Sequence, residues 1–374
     1  MHSFLRALPL LACAYTAQAL PSFRPRQLVT NGTETTEWGA TCRNFIIPVT
    51  ATQTVEGEFS LDPWEIETLH VLAERHVIMN GEYELAARYC VPGPGVESRQ
   101  TLQVLLHGAT YNKGMWEFFY EPETYSYTRF MNLAGYSTLA VDLIGAGESS
   151  YPHGLLEVQV GTFVQTTHQV LQRTRSGELL GRSYDNIALV GFSLGGTIAN
   201  SLVEQYPDDV DLTILLGVSW DTSYSYPAFL AGLQSAAADI DAERWGHLED
   251  WYQTQSGLTA REAANFFGDY DQELLVQEFP TRDVDTLGAA ITFVFHLVTA
   301  YTYRKPVFLG IGEMDTIFCG RRCGSEPYAL YDHFPHATEH VIKVYENTGH
   351  ALLYHRAAPL VMEDIRVFLD RHSA

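Results

Sequence analysis

Ser193 stands in Val190-Gly191-Phe192-Ser193-Leu194-Gly195-Gly196, between an apolar run and a segment with Leu194, Ile198 and Leu202 at four-residue spacing. A serine on such a G-x-S-x-G turn is lifted clear of a strand end, and small flanking residues let the backbone reverse tightly. The chemistry it suggests is nucleophilic attack on a carbonyl. A free Leu194 N–H at the helix start would face the developing oxyanion. A serine hydroxyl is a weak nucleophile and needs a base held by an acid. His350, in Asn347-Thr348-Gly349-His350, and Asp315, in Gly312-Glu313-Met314-Asp315, each follow an apolar run. The chain order Ser193, Asp315, His350 is one of the orders in which such a relay is built. The second oxyanion donor is expected from His107-Gly108-Ala109, with the Ala109 N–H as candidate.

Other residues compete for these roles. Asp221 and Glu313 are alternative acids, and strand order favours Asp315 over Asp221. His355 is the rival base and is expected at the surface. His107 is expected to hold loops together. The run from Asp142 to Ser149, with Gly145 and Gly147, fails the G-x-G-x-x-G spacing of a phosphate loop and reads as a tight turn. His333, His336 and His340 hint at a metal, but Pro335 disrupts a shared helical face, so no metal site is assigned. Trp116, Tyr224, Phe229 and Phe293 are candidate liners of an apolar pocket, with Tyr226 and Phe295 beside them. Core packing explains the same aromatics equally well.

The elements that must carry these side chains alternate. Short apolar runs at 102–106, 138–141, 187–190, 212–218, 307–311 and 341–344 read as strands. Periodic segments at 126–134, 156–175, 194–206 and 359–371 read as helices. Strands are also expected at 45–51 and 82–90, with a helix over 64–74 started by Asp62-Pro63. This pattern predicts an α/β class, a mostly parallel sheet with helices on both faces. It is interrupted by residues 219–303, which read as a largely helical lid, too long for an ordinary loop.

Composition narrows the partners. The 374 residues carry 23 Lys+Arg against 45 Asp+Glu, a net charge of −22. So acidic a surface repels phosphate backbones and anionic headgroups, which excludes nucleic acid as the expected partner and leaves a small molecule. Residues 1–19 read as a signal peptide, with Arg6 before an apolar stretch and Ala17-Gln18-Ala19 as cleavage site. The expectation is therefore a secreted protein occupying 20–374, with no stable membrane insertion. Without Cys13, four cysteines remain, allowing three connectivities. The local pair Cys319 with Cys323 leaves Cys42 with Cys90. Asn31-Gly32-Thr33 is a glycan acceptor.

The segments TLQVLLHGATYNKGMW (101–116), STLAVDLIGAGES (137–149), GFSLGG (191–196), GEMDTIF (312–318) and TGHALLYH (348–355) resemble the α/β-hydrolase superfamily. The signal peptide and the ARYCVP lead-in resemble secreted fungal hydrolases. The resemblance implies an eight-stranded, mostly parallel sheet, a Ser-Asp-His triad and no cofactor. Ser193 stands where an Asp would sit in the superfamily's epoxide hydrolases and haloalkane dehalogenases. The expected activity is cleavage of a carboxylic ester of a largely apolar small molecule through an acyl-enzyme. Two alternatives stay open: a hydrolase, thioesterase or lyase on a polyketide-type intermediate of secondary metabolism, and a binding protein on the same fold.

Overall fold

The computed structural model describes residues 32–56, 76–232 and 234–372. The expected signal peptide, Asn31 and the helix over 64–74 lie outside these residues. Nine strands form the main sheet: β1 (Thr33–Thr35), β2 (Thr41–Glu56), β3 (His76–Val91), β4 (Thr101–Leu106), β5 (Ser137–Val141), β6 (Asn186–Phe192), β7 (Leu212–Leu216), β11 (Val307–Gly312) and β12 (His340–Tyr345). Their spatial order is β1-β2-β3-β5-β4-β6-β7-β11-β12. Pairing from β5 to β12 is parallel throughout, and β1, β2 and β3 join antiparallel. Eight strands match the expected sheet, and the three-residue β1 adds a ninth at the edge.

The sheet is buried on both faces because each central strand is apolar at successive positions. Side chains alternate across a strand, so each run feeds two cores. Leu102, Val104, Leu106, Ile187, Leu189, Val307, Leu309 and Ile311 point to one face. Leu105, Ala188, Val190, Ile214, Leu216 and Phe308 point to the other. Helices α2 (Val160–Arg175) and α3 (Leu194–Gln205) cover the first face with Phe163, Val164, Leu171, Ile198 and Leu202. Helices α1 (Tyr127–Leu133) and α8 (Ala358–His372) cover the second with Tyr127, Met131, Val361, Ile365 and Phe368.

The β2–β3 hairpin is longer than the sequence pattern suggests. It sets Cys42 directly opposite Cys90, and these two are bonded, as are Cys319 and Cys323. Beyond β1, the outer margin of β2 is met by side chains of α2. Thr50 N–H donates to Gln169 Oε1 at 3.0 Å and Thr52 N–H to Gln165 Oε1 at 2.9 Å. The amide groups of both glutamines donate back to the Thr50 and Thr52 carbonyls. An otherwise open strand edge is thus satisfied within the chain.

Between β7 and β11 the chain leaves the sheet. This insert holds α4 (Ser225–Ala231), β8 (Gln234–Ala236), β9 (Tyr252–Gln255), α5 (Leu258–Asn265), α6 (Gln272–Glu278), β10 (Asp285–Thr286) and α7 (Leu287–Thr292). Short helices make up most of its regular structure. A three-stranded antiparallel sheet, β10-β9-β8, lies within it, and among the described residues none of its helices exceeds eight residues. The strands escape sequence reading because they are two to four residues long. No described helix is long and apolar enough to cross a membrane.

Candidate active site

Ser193 occupies the single residue between β6 and α3, with φ 52° and ψ −114°. A non-glycine residue in this region is strained, and the neighbours hold it there. A Cβ on Gly191 would lie 2.1 Å from the Gly195 carbonyl oxygen, and one on Gly195 2.3 Å from that of Leu106. The motif's glycines are therefore required by backbone crossing at van der Waals contact. Ser193 N–H donates to the Leu216 carbonyl at 2.8 Å, tying the turn to β7. At the first position of α3, the Leu194 N–H has no intrahelical acceptor.

His350 follows β12 and Asp315 follows β11. His350 Nε2 lies 2.9 Å from Ser193 Oγ, and Nδ1 lies 2.8 Å from Asp315 Oδ2. Asp315 is fully buried, and its other oxygen accepts from the N–H groups of Ile317 at 2.8 Å and Phe318 at 3.0 Å. A carboxylate so held can only accept, so Nδ1 carries the imidazole proton and Nε2 is left to accept from the serine. The competing acids are engaged elsewhere. Asp221 is exposed and accepts from the Ser223 N–H, and Glu313 accepts from the Asn347 N–H.

His355 corrects the expectation of a surface residue, since it is fully buried. Its Nδ1 lies 2.9 Å from the Ala351 carbonyl, and its Nε2 accepts the Gly349 N–H at 3.0 Å. Burial pushes its pKa down to about 4, so it stays neutral and clips the loop that carries His350.

The loop after β4 is held from two directions. His107 Nε2 accepts the Leu143 N–H at 3.0 Å, which leaves Nδ1 to donate to the Gly108 carbonyl at 2.9 Å. Burial lowers the His107 pKa, consistent with a neutral ring. The Tyr111 N–H also donates to the Gly108 carbonyl. Across that trans peptide, the Ala109 N–H faces the opposite way. Thr110, with φ 60°, accepts at Oγ1 from Arg261 at 2.6 Å and donates to the Ala109 carbonyl at 2.6 Å. Arg261 and Glu278 form an ion pair with both side chains fully buried, and Arg261 also donates to Gln255 Oε1 at 3.0 Å. Burial works against the Arg261 charge, but the Glu278 carboxylate outweighs it and holds the guanidinium pKa up. No sequence signal points to Arg261. It lies on α5 in the insert, some 150 residues from the loop it fixes.

Two cavities meet at Ala109. One is lined by Ser193, His350, Thr110, Ala228, Phe229, Gly232, Ala264 and Ile317, with Gln234, Gln255 and Asn265 as polar members. The other is lined by His107, Leu143, Ile144, Ala146, Val158, Phe163, Leu194, Asp285 and Thr286. Phe229 alone of the four aromatic candidates faces the site. Phe293 stands one layer behind it, edge-on at 5.6 Å, and Tyr226 contacts both. Trp116 lines neither cavity. It is buried against Tyr127 on the α1 face of the sheet. Tyr224 and Phe295 are more than 40% exposed, and Tyr224 covers Gly320.

The remaining candidates are self-satisfied. The Asp142 carboxylate fills its own glycine-rich turn, accepting from the Lys113 N–H and Nζ, each at 2.6 Å, and from the Glu148 N–H. A Cβ on Gly147 would fall 2.1 Å from it. An incoming phosphate would meet an anion already in place. His333 stacks on Trp220, and His340 donates to the Phe334 carbonyl, so the two imidazoles serve separate contacts.

This sheet order, with a serine between a central strand and its helix, defines an α/β-hydrolase fold. The chain belongs to the alpha/beta hydrolase family, which it matches over residues 103–363. It is similar in fold to a soluble variant of the Saccharomyces cerevisiae monoglyceride lipase, with a TM-score of 0.56, 16% identity, and coverage of 78% of this chain and 93% of that one. The Paleococcus ferrophilus monoacylglycerol lipase gives 0.52 and 16%, covering 74% and 97%. Epoxide hydrolase 3 of Xenopus tropicalis is 27% identical over 128 residues, 34% of this chain and only 30% of that relative's length.

Proposed function

We propose that this hydrolase cleaves a carboxylic ester of a largely apolar small molecule, with Ser193, His350 and Asp315 as its triad. The observation that carries this reading is the unbroken hydrogen-bonded series from Ser193 Oγ through His350 to Asp315. Ser193 Oγ adds to the ester carbonyl as His350 Nε2 takes its proton. Asp315 keeps the ring oriented and stabilises the imidazolium. The Ala109 and Leu194 N–H groups receive the oxyanion. Collapse breaks the ester C–O bond, and His350 returns the proton to the leaving alcohol. Water, activated by the same imidazole, then releases the acid and restores Ser193. Ala228, Phe229, Ala264 and Ile317 suit an apolar arm, and the insert acts as the lid over it. The apolar N-terminal stretch and two disulfides support a secreted enzyme.

The epoxide hydrolase relative raises a second chemistry, but Ser193 disfavours it. A serine that opened an epoxide would be left as an alkyl ether, with no carbonyl for water to attack, and the enzyme would stop after one turnover. Ser193→Ala is the test. Turnover of p-nitrophenyl esters should fall about 10⁴- to 10⁶-fold, and covalent labelling by a fluorophosphonate should vanish. A variant with wild-type turnover overturns the reading.

A further inference from the structure

The cavity on the Leu194 side of Ala109 is lined by Leu143, Ile144, Val158, Phe163 and Leu194, with His107 as a polar member and β10 bringing in Asp285 and Thr286. Asp285 is only 9% exposed. Its neighbour in sequence, Asp283, shows how the fold satisfies a carboxylate here. Asp283 accepts from the Val284 N–H, from Asn112 Nδ2 at 2.7 Å and from the Gly147 N–H at 3.0 Å. Asp285 has no cation and no side-chain donor opposite it among the described residues; the neighbouring Thr286 N–H alone offsets its burial. Burial accordingly pushes its pKa up to about 7. A buried carboxyl left so poorly partnered costs stability, and folds retain such costs mainly at functional sites.

We propose that Asp285 is the specificity residue of this cavity, accepting a hydrogen bond from a hydroxyl or protonated amine carried by the substrate. The inference rests on the ester-hydrolase reading and deepens it. The apolar arm lies in the cavity shared by Ser193 and Phe229. The donor-bearing arm passes Ala109 and reaches Asp285. Polar recognition of this kind discriminates strongly, because an analogue lacking the donor leaves a buried acceptor unpaired.

The test measures kcat/KM for matched esters ending in a methyl, a hydroxyl or a primary amine. The group is placed on the acyl chain in one series and on the alcohol in the other. Wild type should prefer a donor-bearing ester about tenfold or more in one series. Asp285→Leu should reverse that preference. Asp285→Asn separates the two donors: it keeps an acceptor for a hydroxyl but loses the charge that holds an ammonium. Equal rates across both wild-type series, or an unchanged preference in Asp285→Leu, overturns the proposal. A second measurement needs no turnover. At pH 8 the Tm of Asp285→Asn should rise by several degrees, whereas a fall would mean the carboxylate supports the fold and would also overturn it. If no ester is cleaved and no fluorophosphonate label is taken up, the hydrolase reading fails, and this melting comparison still decides the role of Asp285.

Discussion

Two carboxylates at the site, Asp315 on the sheet side and Asp285 on the insert side, differ in how completely they are satisfied. On the sheet side, Asp315 has three partners, His350 two, and His355 and His107 each bridge backbone groups of neighbouring loops. On the insert side, the same kind of side chain, Asp285, faces a cavity with little to bind it. Satisfied groups fix geometry, and reaction geometry has to be held before substrate arrives. An unsatisfied group instead stores a cost that a bound molecule can relieve. Under the proposed function, the contrast separates residues assigned to the chemistry from one assigned to selecting what is brought to it.

The contrast can be broken first at Asp315. Asp315→Asn keeps the shape but lets the wrong imidazole tautomer form, so kcat should fall about 10⁴-fold with little change in KM. A loss under tenfold would mean that the acid lies elsewhere. Arg261 tests whether the insert helps hold the sheet-side loop. Arg261→Met leaves Glu278 buried and unpaired and should cost about 3–5 kcal/mol in urea unfolding. Replacing both partners by Met should recover most of that stability. The Thr110 hydroxyl would still lack its donor, so kcat should stay about tenfold to a hundredfold low. Recovery of both together would assign Arg261 to folding alone.

The pH dependence of stability sharpens the comparison at smaller magnitude, because the two sides titrate in opposite senses. The His355 imidazole has a pKa near 4 in the fold and near 6.5 when unfolded. The unfolded chain binds the extra proton, so stability falls as pH drops through that window, by about 3 kcal/mol in full. Asp285 ionises near 7 in the fold and near 3.9 unfolded. Here the folded chain binds the extra proton, and stability falls as pH rises from about 4 to 7, on the order of 4 kcal/mol. In wild type the two opposite slopes share one window and largely cancel, so urea midpoints across pH should show Asp285→Asn exposing the fall toward pH 4 and His355→Gln exposing the fall toward pH 7.

Most of the fold is legible because strands buried on both faces advertise themselves as apolar runs. Glycine spacing around Ser193 and the strand ends before Asp315 and His350 point to the same sheet edge. What escapes is set by distant partners. Trp116 looks like a pocket aromatic, yet the single helical turn Lys113–Glu117 sets it against Tyr127 on the sheet's other face. His355 looks peripheral because its contacts, the Gly349 N–H and the Ala351 carbonyl, are backbone groups with no side-chain signature. Asp285 owes its place to a two-residue strand paired with Gln253, too short to leave a periodic pattern.

The two glutamines of α2 have a consequence for how the antiparallel end of the sheet is measured out. Four residues of helix rise about 6 Å, and two residues of strand advance about 6.8 Å. Gln165 and Gln169 therefore match Thr52 and Thr50 as marks on a ruler match a scale. One residue inserted between the two glutamines would swing the second amide about 100° around the helix and off the strand. The helix that packs beneath the sheet thus also gauges where its outermost long strand must stop sliding.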